Sequence, residues 1–525
     1  MSEHNLLAAD EWPETLTLDS PVPLPDVRDD DFDSGSEAKL LQWDLERSPR
    51  LNADPKAKLN TYEEVSWYRS RLAQIGVDSE YLHAIDEIIF NDPVLREISP
   101  DTRVLACVPV AATSEYDSIY GALSLYVQQD ADILQDTTVL VHANWTESAA
   151  ADPEKAALIV RTLAEIERAK QDFSQLRIAS FTSQFEDAFI EERGGIVGEA
   201  VRRLLDVELM TVLRMKQNGQ THEQDVIAVR NDGDGMGMSR HYLKRIVDAA
   251  DANPNVDAFT GVVRWDTKTH ADYPGFGVVT NFREIMHAAT ALSAVDVPVM
   301  TVGINSAIRS STLAAIGCLG RGKYIGVGSD DREMGMRVID ARRKTHASAP
   351  IASLALGESV ERPIMYVSGA GIDTAADRLL TAYRRQLPIT AAWDNFDTNG
   401  HTDRRANMNG NDLIPAETIV DAEDMVSRIE LSINGMINIW FRSPSHLRMG
   451  LALTFSERLA DDAEIYSLSQ ESNRLTFTFT EGGKEWLLRR LTRSTPDIAA
   501  YGQNIVRQLY EHSDGLPSRY VSTLA

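Results

Sequence analysis

Only two cysteines, Cys107 and Cys318, occur in 525 residues. That scarcity excludes a disulfide framework and a zinc site built from thiolates, which need several cysteines at short spacing. Positive charge is also short: 52 Lys and Arg stand against 79 Asp and Glu, for a net charge of −27. A chain so acidic neither tracks a phosphate backbone nor docks on anionic lipid, so nucleic acid and membrane surfaces are set aside as partners. Long apolar runs are missing too; none approaches the ~20 residues of a membrane-spanning helix. The opening MSEHNLLAADEWPE has neither the basic region nor the apolar stretch of a secretory signal, and the expectation is a soluble, cytoplasmic protein. Apolar residues, at 43%, are plentiful enough for a large core, and the length suits roughly two to four domains.

Periodicity divides the chain. Residues 1–37 include PVPLPDVRDDDFDSGS, acidic and proline-bearing, which reads as a flexible lead-in. From Thr61 to Ile98 the pattern is helical, with Leu82, Ile85, Ile88 and Ile89 on one face, and the two stretches together make an extension over 1–100. Residues 101–395 alternate strands and helices. VLACVPV (104–110) is a continuous apolar run, as in a strand buried on both faces, and Ser114 is placed to cap the helix after it. Short strands follow at 138–142, 176–181, 226–229, 258–265 and 299–304, with one helix over 156–170 and another capped by Ser239. That alternation predicts an α/β domain with a mostly parallel sheet. A polar, turn-rich linker is placed at 396–423. Beyond it, RIELSI-NG-MINIWF, EIYSLS and LTFTFT alternate with period two, so 424–525 reads as an antiparallel β domain with a terminal helix near 498–510.

One stretch carries chemistry: RNDGDGMGMS, residues 230–239, just after the apolar run 226–229. Asp232 and Asp234 are one residue apart with nothing apolar beside them, and carboxylates that close repel unless a cation lies between. A calcium loop of the EF-hand kind fails, because Met236 and Leu243 fall where oxygen ligands are required. A dinucleotide loop would match Gly233, Gly235 and Gly237, but Asp234 would face the pyrophosphate with the wrong sign. A metal-diphosphate site and an ordinary Asx-rich turn both remain open from these residues alone.

Four blocks, in order, resemble the nucleotide-sugar-dependent glycosyltransferases of the type A fold. They are VLACVPVAATSEYDSIYGAL, GGIVGEAVRRLLDVEL, VIAVRNDGDGMGMSRHYL, and TVGINSAIRSSTLAAIGCLG followed by GVGSDDREMGMR, together spanning roughly residues 103–345. The resemblance implies a Rossmann-like catalytic domain over 101–395 and a Mn²⁺ or Mg²⁺ ion held by Asp232 and Asp234, with His346 completing its shell. It also implies donor contacts from Pro109 on the opening strand, Asn305, and Asp330 of the acidic pair Asp330-Asp331. The family's Asp-rich turn after the second strand is replaced by VHANWTESAAAD, where Asn144 and Trp145 could supply hydrogen bonding and stacking for the base. Asp331 then falls in the place of the general base, which implies inversion at the anomeric carbon.

The resulting expectation is a metal-dependent transferase moving a sugar from a UDP-, GDP- or dTDP-sugar to a hydroxyl on a glycan, protein or lipid-linked acceptor. A retaining transferase on the same fold would leave Asp331 without a base role. A non-catalytic alternative is a glycan-binding or assembly protein with a vestigial transferase domain. The C-terminal β domain is a candidate surface for self-association or glycan recognition, between which fold does not choose.

Overall fold

The apolar run after Arg103 becomes β1 (Val104–Ala111), the strand around which the rest is arranged. It belongs to a computed structural model that describes residues 47–74, 79–193, 196–219, 225–265, 304–319, 334–335, 337–338, 341–342, 363–374, 430, 466–471 and 474–485. The lead-in, the linker, the Asn434-Gly435 hairpin, the terminal helix, Asp330, Asp331 and His346 lie outside those residues, as does all but the last residue of the strand expected at 299–304.

On one edge of β1 lies β2 (Thr137–Thr146) and beyond it β3 (Arg177–Phe185); on the other lies β4 (Ile227–Arg230). These four strands are parallel, with Val104 opposite Thr137 and Ile227. The sheet then continues through β7 (Ser306–Arg309), β6 (Ala258–Trp265), β8 (Ile364–Thr374) and β5 (Gly235–Met238). β7 runs antiparallel to both β4 and β6. The domain is therefore mixed α/β with a mostly parallel central sheet.

Alternate residues of β1 serve two cores. Val104, Ala106, Val108 and Val110 join Ile119 and Leu123 of α5 (Ile119–Val127), Ile159 and Ile166 of α8 (Pro153–Asp172), and Leu243 and Ile246 of α11 (Tyr242–Ala252). α8 starts where Pro153 follows Asp152, whose side chain accepts from the Glu154 and Lys155 amides, a cap of about 1 kcal/mol. Two expected caps are corrected. Ser114 instead hydrogen-bonds the Ala111 carbonyl, and α5 begins four residues later, after Ser118. Ser239 pairs with Gly371 through both its amide and its hydroxyl, and α11 starts after His241.

The other face is covered by α10 (Val197–Gln217), which packs on β1 and β2 and is itself overlaid by α2 (Thr61–Gln74) and α3 (Ser79–Asn91). A helix covered on both sides buries even its charges, and these must pair internally. Arg202 binds Glu199 and, at 3.0 Å, Asp206; Asp206 also accepts from Tyr68 at 2.5 Å and Tyr81 at 2.6 Å. Arg203 bonds Glu199 and lies 4.2 Å from the centre of the Phe185 ring. His142, facing α10 from β2, sits between the Ala200 carbonyl and the Ser183 hydroxyl, and burial drives its pKa down to about 3. Neutral imidazole then carries its proton on Nδ1, toward the carbonyl.

The chain divides into two compact units: residues 1–261, 300–350 and 361–372, and residues 262–299, 351–360 and 373–525. The helices expected as an extension over 1–100 thus share a unit with the sheet, through Tyr68 and Tyr81. In the second unit β9 (Tyr466–Glu471) and β10 (Arg474–Phe479) form the antiparallel hairpin that EIYSLS and LTFTFT imply, with Tyr466 and Phe477 stacked at 5.4 Å.

Glu208 of α10 is fully buried, takes a 2.6 Å hydrogen bond from Ser310, and has its pKa raised from 4.5 to about 8, chiefly by burial. A carboxyl with a raised folded-state pKa holds its proton more tightly when folded. Its contribution is therefore complete below the unfolded pKa and is lost as pH climbs through about 8. We predict that the melting temperature falls between pH 6 and pH 9, and that Glu208→Gln, which keeps the acceptor for Ser310, flattens that fall in a pH series of thermal melts.

Candidate active site at an acidic turn

Parallel pairing brings the carboxyl end of β4 beside the middle of β1, with Arg230 opposite Cys107. The chain does not leave the sheet there. The Asn231 amide donates to the Cys107 carbonyl at 3.1 Å, and the Gly233 amide to the Pro109 carbonyl at 3.2 Å. These bonds extend the ladder past β4 and lay the turn along β1. The Gly235 amide then donates to the Asp232 carbonyl at 3.2 Å, closing the reversal into β5.

The approach is close enough that a side chain at Gly233 would force its neighbours to move. A Cβ on Gly233 would stand 2.5 Å from Glu115 Oε2 and 3.1 Å from Val110 Cγ2. That Glu115 oxygen accepts the Ala111 amide at 3.1 Å, while the Ser118 hydroxyl donates to the Gly233 carbonyl at 3.1 Å. The loop after β1 and the acidic turn are thus stitched together. Asp232 is 7% exposed and Asp234 half-buried. Arg230 Nη2 lies 3.7 Å from Asp232 Oδ1, a buried ion pair that sets positive charge against the first carboxylate.

The donor chemistry of this turn is that of hard oxygen. Two carboxylates offer hard oxygen ligands of the kind Mg²⁺ and Mn²⁺ take. Among the described residues, no group of three or more His, Cys, Asp or Glu gathers to hold a metal. The described donors therefore suit an ion that fills its remaining positions with water and ligand oxygens rather than one enclosed by protein.

Pro109, Asn144, Trp145 and Asn305, and the arginines Arg309 and Arg337, all have protein partners. Pro109 lends its carbonyl to Gly233. Asn144 is buried on β2, its amide donating to the Val110 carbonyl at 2.8 Å. Trp145 is 2% exposed, with its ring nitrogen on Gln184, so it packs in the core instead of offering a stacking face. Asn305 is fully buried: it accepts from the Tyr242 hydroxyl at 2.8 Å and donates to the Ala370 carbonyl at 3.0 Å. Its amide braces the strand ends, which replaces the expected donor contact. Arg309 donates to the Ala250, Asn253 and Val256 carbonyls, closing the carboxyl end of α11. Arg337 is buried against the Ile316 carbonyl. Sequence reading passed over Glu115, Ser118, Arg230 and Asn231; the one available signal was their position next to β1 and Asp232.

No family model and no curated protein matches the chain. Solved structures similar to it include a mannosyltransferase, PcManGT from Pyrobaculum calidifontis, in complex with GDP-Man and Mn²⁺, at 14% identity and a TM-score of 0.34, covering 80% of this chain and 96% of that one. Another is S. aureus TarS, residues 1–349, in complex with UDP-GlcNAc, at 12% identity and a TM-score of 0.30, covering 73% and 98%. With both TM-scores below 0.5, the functional reading rests on the turn itself.

Gly233→Ala should push Glu115 off the Ala111 amide and cost about 1–3 kcal/mol, the usual penalty for a buried group losing its hydrogen bond. In a Glu115→Ala background the same change should cost clearly less. Additive effects in denaturant titrations of the two single variants and the double variant would show that the two sites do not touch.

Proposed function

We propose that the protein is a glycosyltransferase that uses a nucleotide-sugar donor and a divalent ion held at Asp232 and Asp234. The observation that carries this reading is the acidic turn itself. Two carboxylates stand one residue apart at the carboxyl end of a parallel strand, where open α/β sheets bind ligands, and the backbone beneath them is fixed to β1. When bound, a divalent ion supplies positive charge to a diphosphate leaving group.

The chain's own residues do the rest. Asp232 and Asp234 present oxygen ligands on a turn that needs no reorganisation, so binding does not have to order it. Arg230 balances part of their charge before any ligand arrives. Asp331, implied by resemblance, takes the proton of the acceptor hydroxyl as general base, giving inversion at the sugar carbon. By the same resemblance, Asp330 would contact the donor and His346 would complete the shell of the ion. No helix among the described residues is long and apolar enough to cross a membrane, and hydroxyl acceptors on a glycan, protein or lipid carrier all remain compatible with this reading.

The test is a thermal-shift series with UDP-, GDP- and dTDP-sugars, with and without Mn²⁺, followed by turnover with the donor that binds. A ligand at 100 times its dissociation constant adds about 2.7 kcal/mol of stability. Asp234→Ala should lose both the Mn²⁺-dependent shift and turnover, the latter by on the order of 10²-fold, while melting close to the parent without ligand. Wild-type turnover in that variant would refute the metal assignment. Asp331→Asn should still show the donor-induced shift but lose transfer; full transfer would instead point to a retaining reaction in which that residue is not the base.

A further inference from the structure

Asn231, the residue before the first aspartate, is 4% exposed and uses both ends of its amide. Its Oδ1 accepts from the Tyr126 hydroxyl of α5 at 2.6 Å, and its Nδ2 donates to the Tyr242 oxygen at the start of α11 at 3.2 Å and to the Ile304 carbonyl at 3.2 Å. Tyr242 passes its own hydroxyl proton to Asn305 Oδ1 at 2.8 Å, and Asn305 Nδ2 ends the series on the Ala370 carbonyl of β8 at 3.0 Å. Asn231 Nδ2 also donates to the Arg230 carbonyl at 2.7 Å, and the side-chain run through Tyr242 keeps one direction: tyrosine to amide to tyrosine to amide to backbone. β6 makes room for its end at Gly261, where a Cβ would lie 1.8 Å from the Ala370 oxygen and 2.9 Å from Asn305 Nδ2.

The members come from α5, the end of β4, the start of α11, the residue before β7, and β8. Nothing local requires this. A turn fastened to β1 by two backbone bonds does not need two buried tyrosines and a second buried asparagine from three other places, and buried polar groups are retained at a cost unless fully bonded. The same residues do meet a need at the site: the peptide that leads into Asp232 is gripped from three sides by groups that carry no charge.

We infer that the Tyr126–Asn231–Tyr242–Asn305 relay is a positioning device for the acidic turn, holding Asp232 and Asp234 in the arrangement that binds a divalent ion. The inference rests on the proposed metal site for its purpose and on the hydrogen bonds alone for its mechanics, so two readouts separate them. A matched control exists on the opposite face of the sheet, where Tyr81 is also fully buried and donates a 2.6 Å hydrogen bond, to Asp206.

The experiment compares full-length Tyr242→Phe, Tyr126→Phe and Tyr81→Phe by amide hydrogen exchange over residues 226–240 and by Mn²⁺ binding followed through electron paramagnetic resonance, with Mn²⁺ alone and with added GDP or UDP. Both relay variants should speed exchange in that segment about tenfold and weaken Mn²⁺ by about the same factor, as expected for one lost buried hydrogen bond. Tyr81→Phe should lower the melting temperature while leaving both readouts at the parent value. Exchange over 226–240 that is unchanged in the relay variants, or equally faster in Tyr81→Phe, overturns the relay. Accelerated exchange confined to the relay variants, with no Mn²⁺ bound by the parent protein, overturns the metal site and upholds the relay as the brace of the turn. Should Tyr242→Phe fail to fold, Tyr126→Phe, which removes only the bond to Asn231 Oδ1, decides the outcome.

Discussion

The site depends on two backbone hydrogen bonds made after the strand has ended. β4 is only four residues long, yet the amides of Asn231 and Gly233 go on pairing with the carbonyls of Cys107 and Pro109. Those bonds turn a glycine-rich stretch that could wander into a continuation of the sheet, and they decide where Asp232 and Asp234 stand. Gly233 is the condition for them. A side chain there would collide with Glu115, which in turn holds the first turn after β1. Charge at the site is therefore placed by backbone and by an absence of atoms.

Fixing that edge requires a stiff sheet behind it, and the stiffness is bought by burying α10 between β1 and the amino-terminal helices. The arrangement forces Arg202, Arg203, Glu199 and Asp206 out of water. Removing one partner of such a cluster costs far more than the cluster contributes as a whole, because the remaining charge is stranded in low dielectric. Tyr68 and Tyr81 complete the shell of Asp206, which is why α2 and α3 belong to the same unit as the sheet instead of leading up to it.

How much of this could be read in advance follows from what each signal reports. β1 was legible because seven consecutive apolar residues admit few other readings. The acidic turn was legible because paired acids beside glycine are rare in a core. The helix starts were not: Ser114 and Ser239 both look like caps, but each finds a better partner in another element, the Ala111 carbonyl and Gly371, that sequence spacing does not reveal. Asn305 is a donor contact by resemblance alone, and its partners Tyr242 and Ala370 are too distant in sequence to be read from it. Nothing in the local sequence around Arg202 and Arg203 of α10 shows the second covering layer that buries them. Local chemistry was visible, in short, where its partners were close in sequence.

The two polar networks on either side of the sheet differ in kind, and the difference has a reason. Behind β1 the central groups are ions, Arg202 and Arg203 against Glu199 and Asp206. Beneath the acidic turn they are amides and phenols. Had the turn been braced by arginines and lysines, those cations would have competed directly with a metal for Asp232 and Asp234, and at a few ångströms in a poorly solvated setting such competition is strong. Neutral groups hold the peptide without touching the acids' charge. Arg230 faces Asp232 at 3.7 Å, beyond hydrogen-bonding range. Amides and phenols that brace such a turn add no cation of their own to compete for its carboxylates.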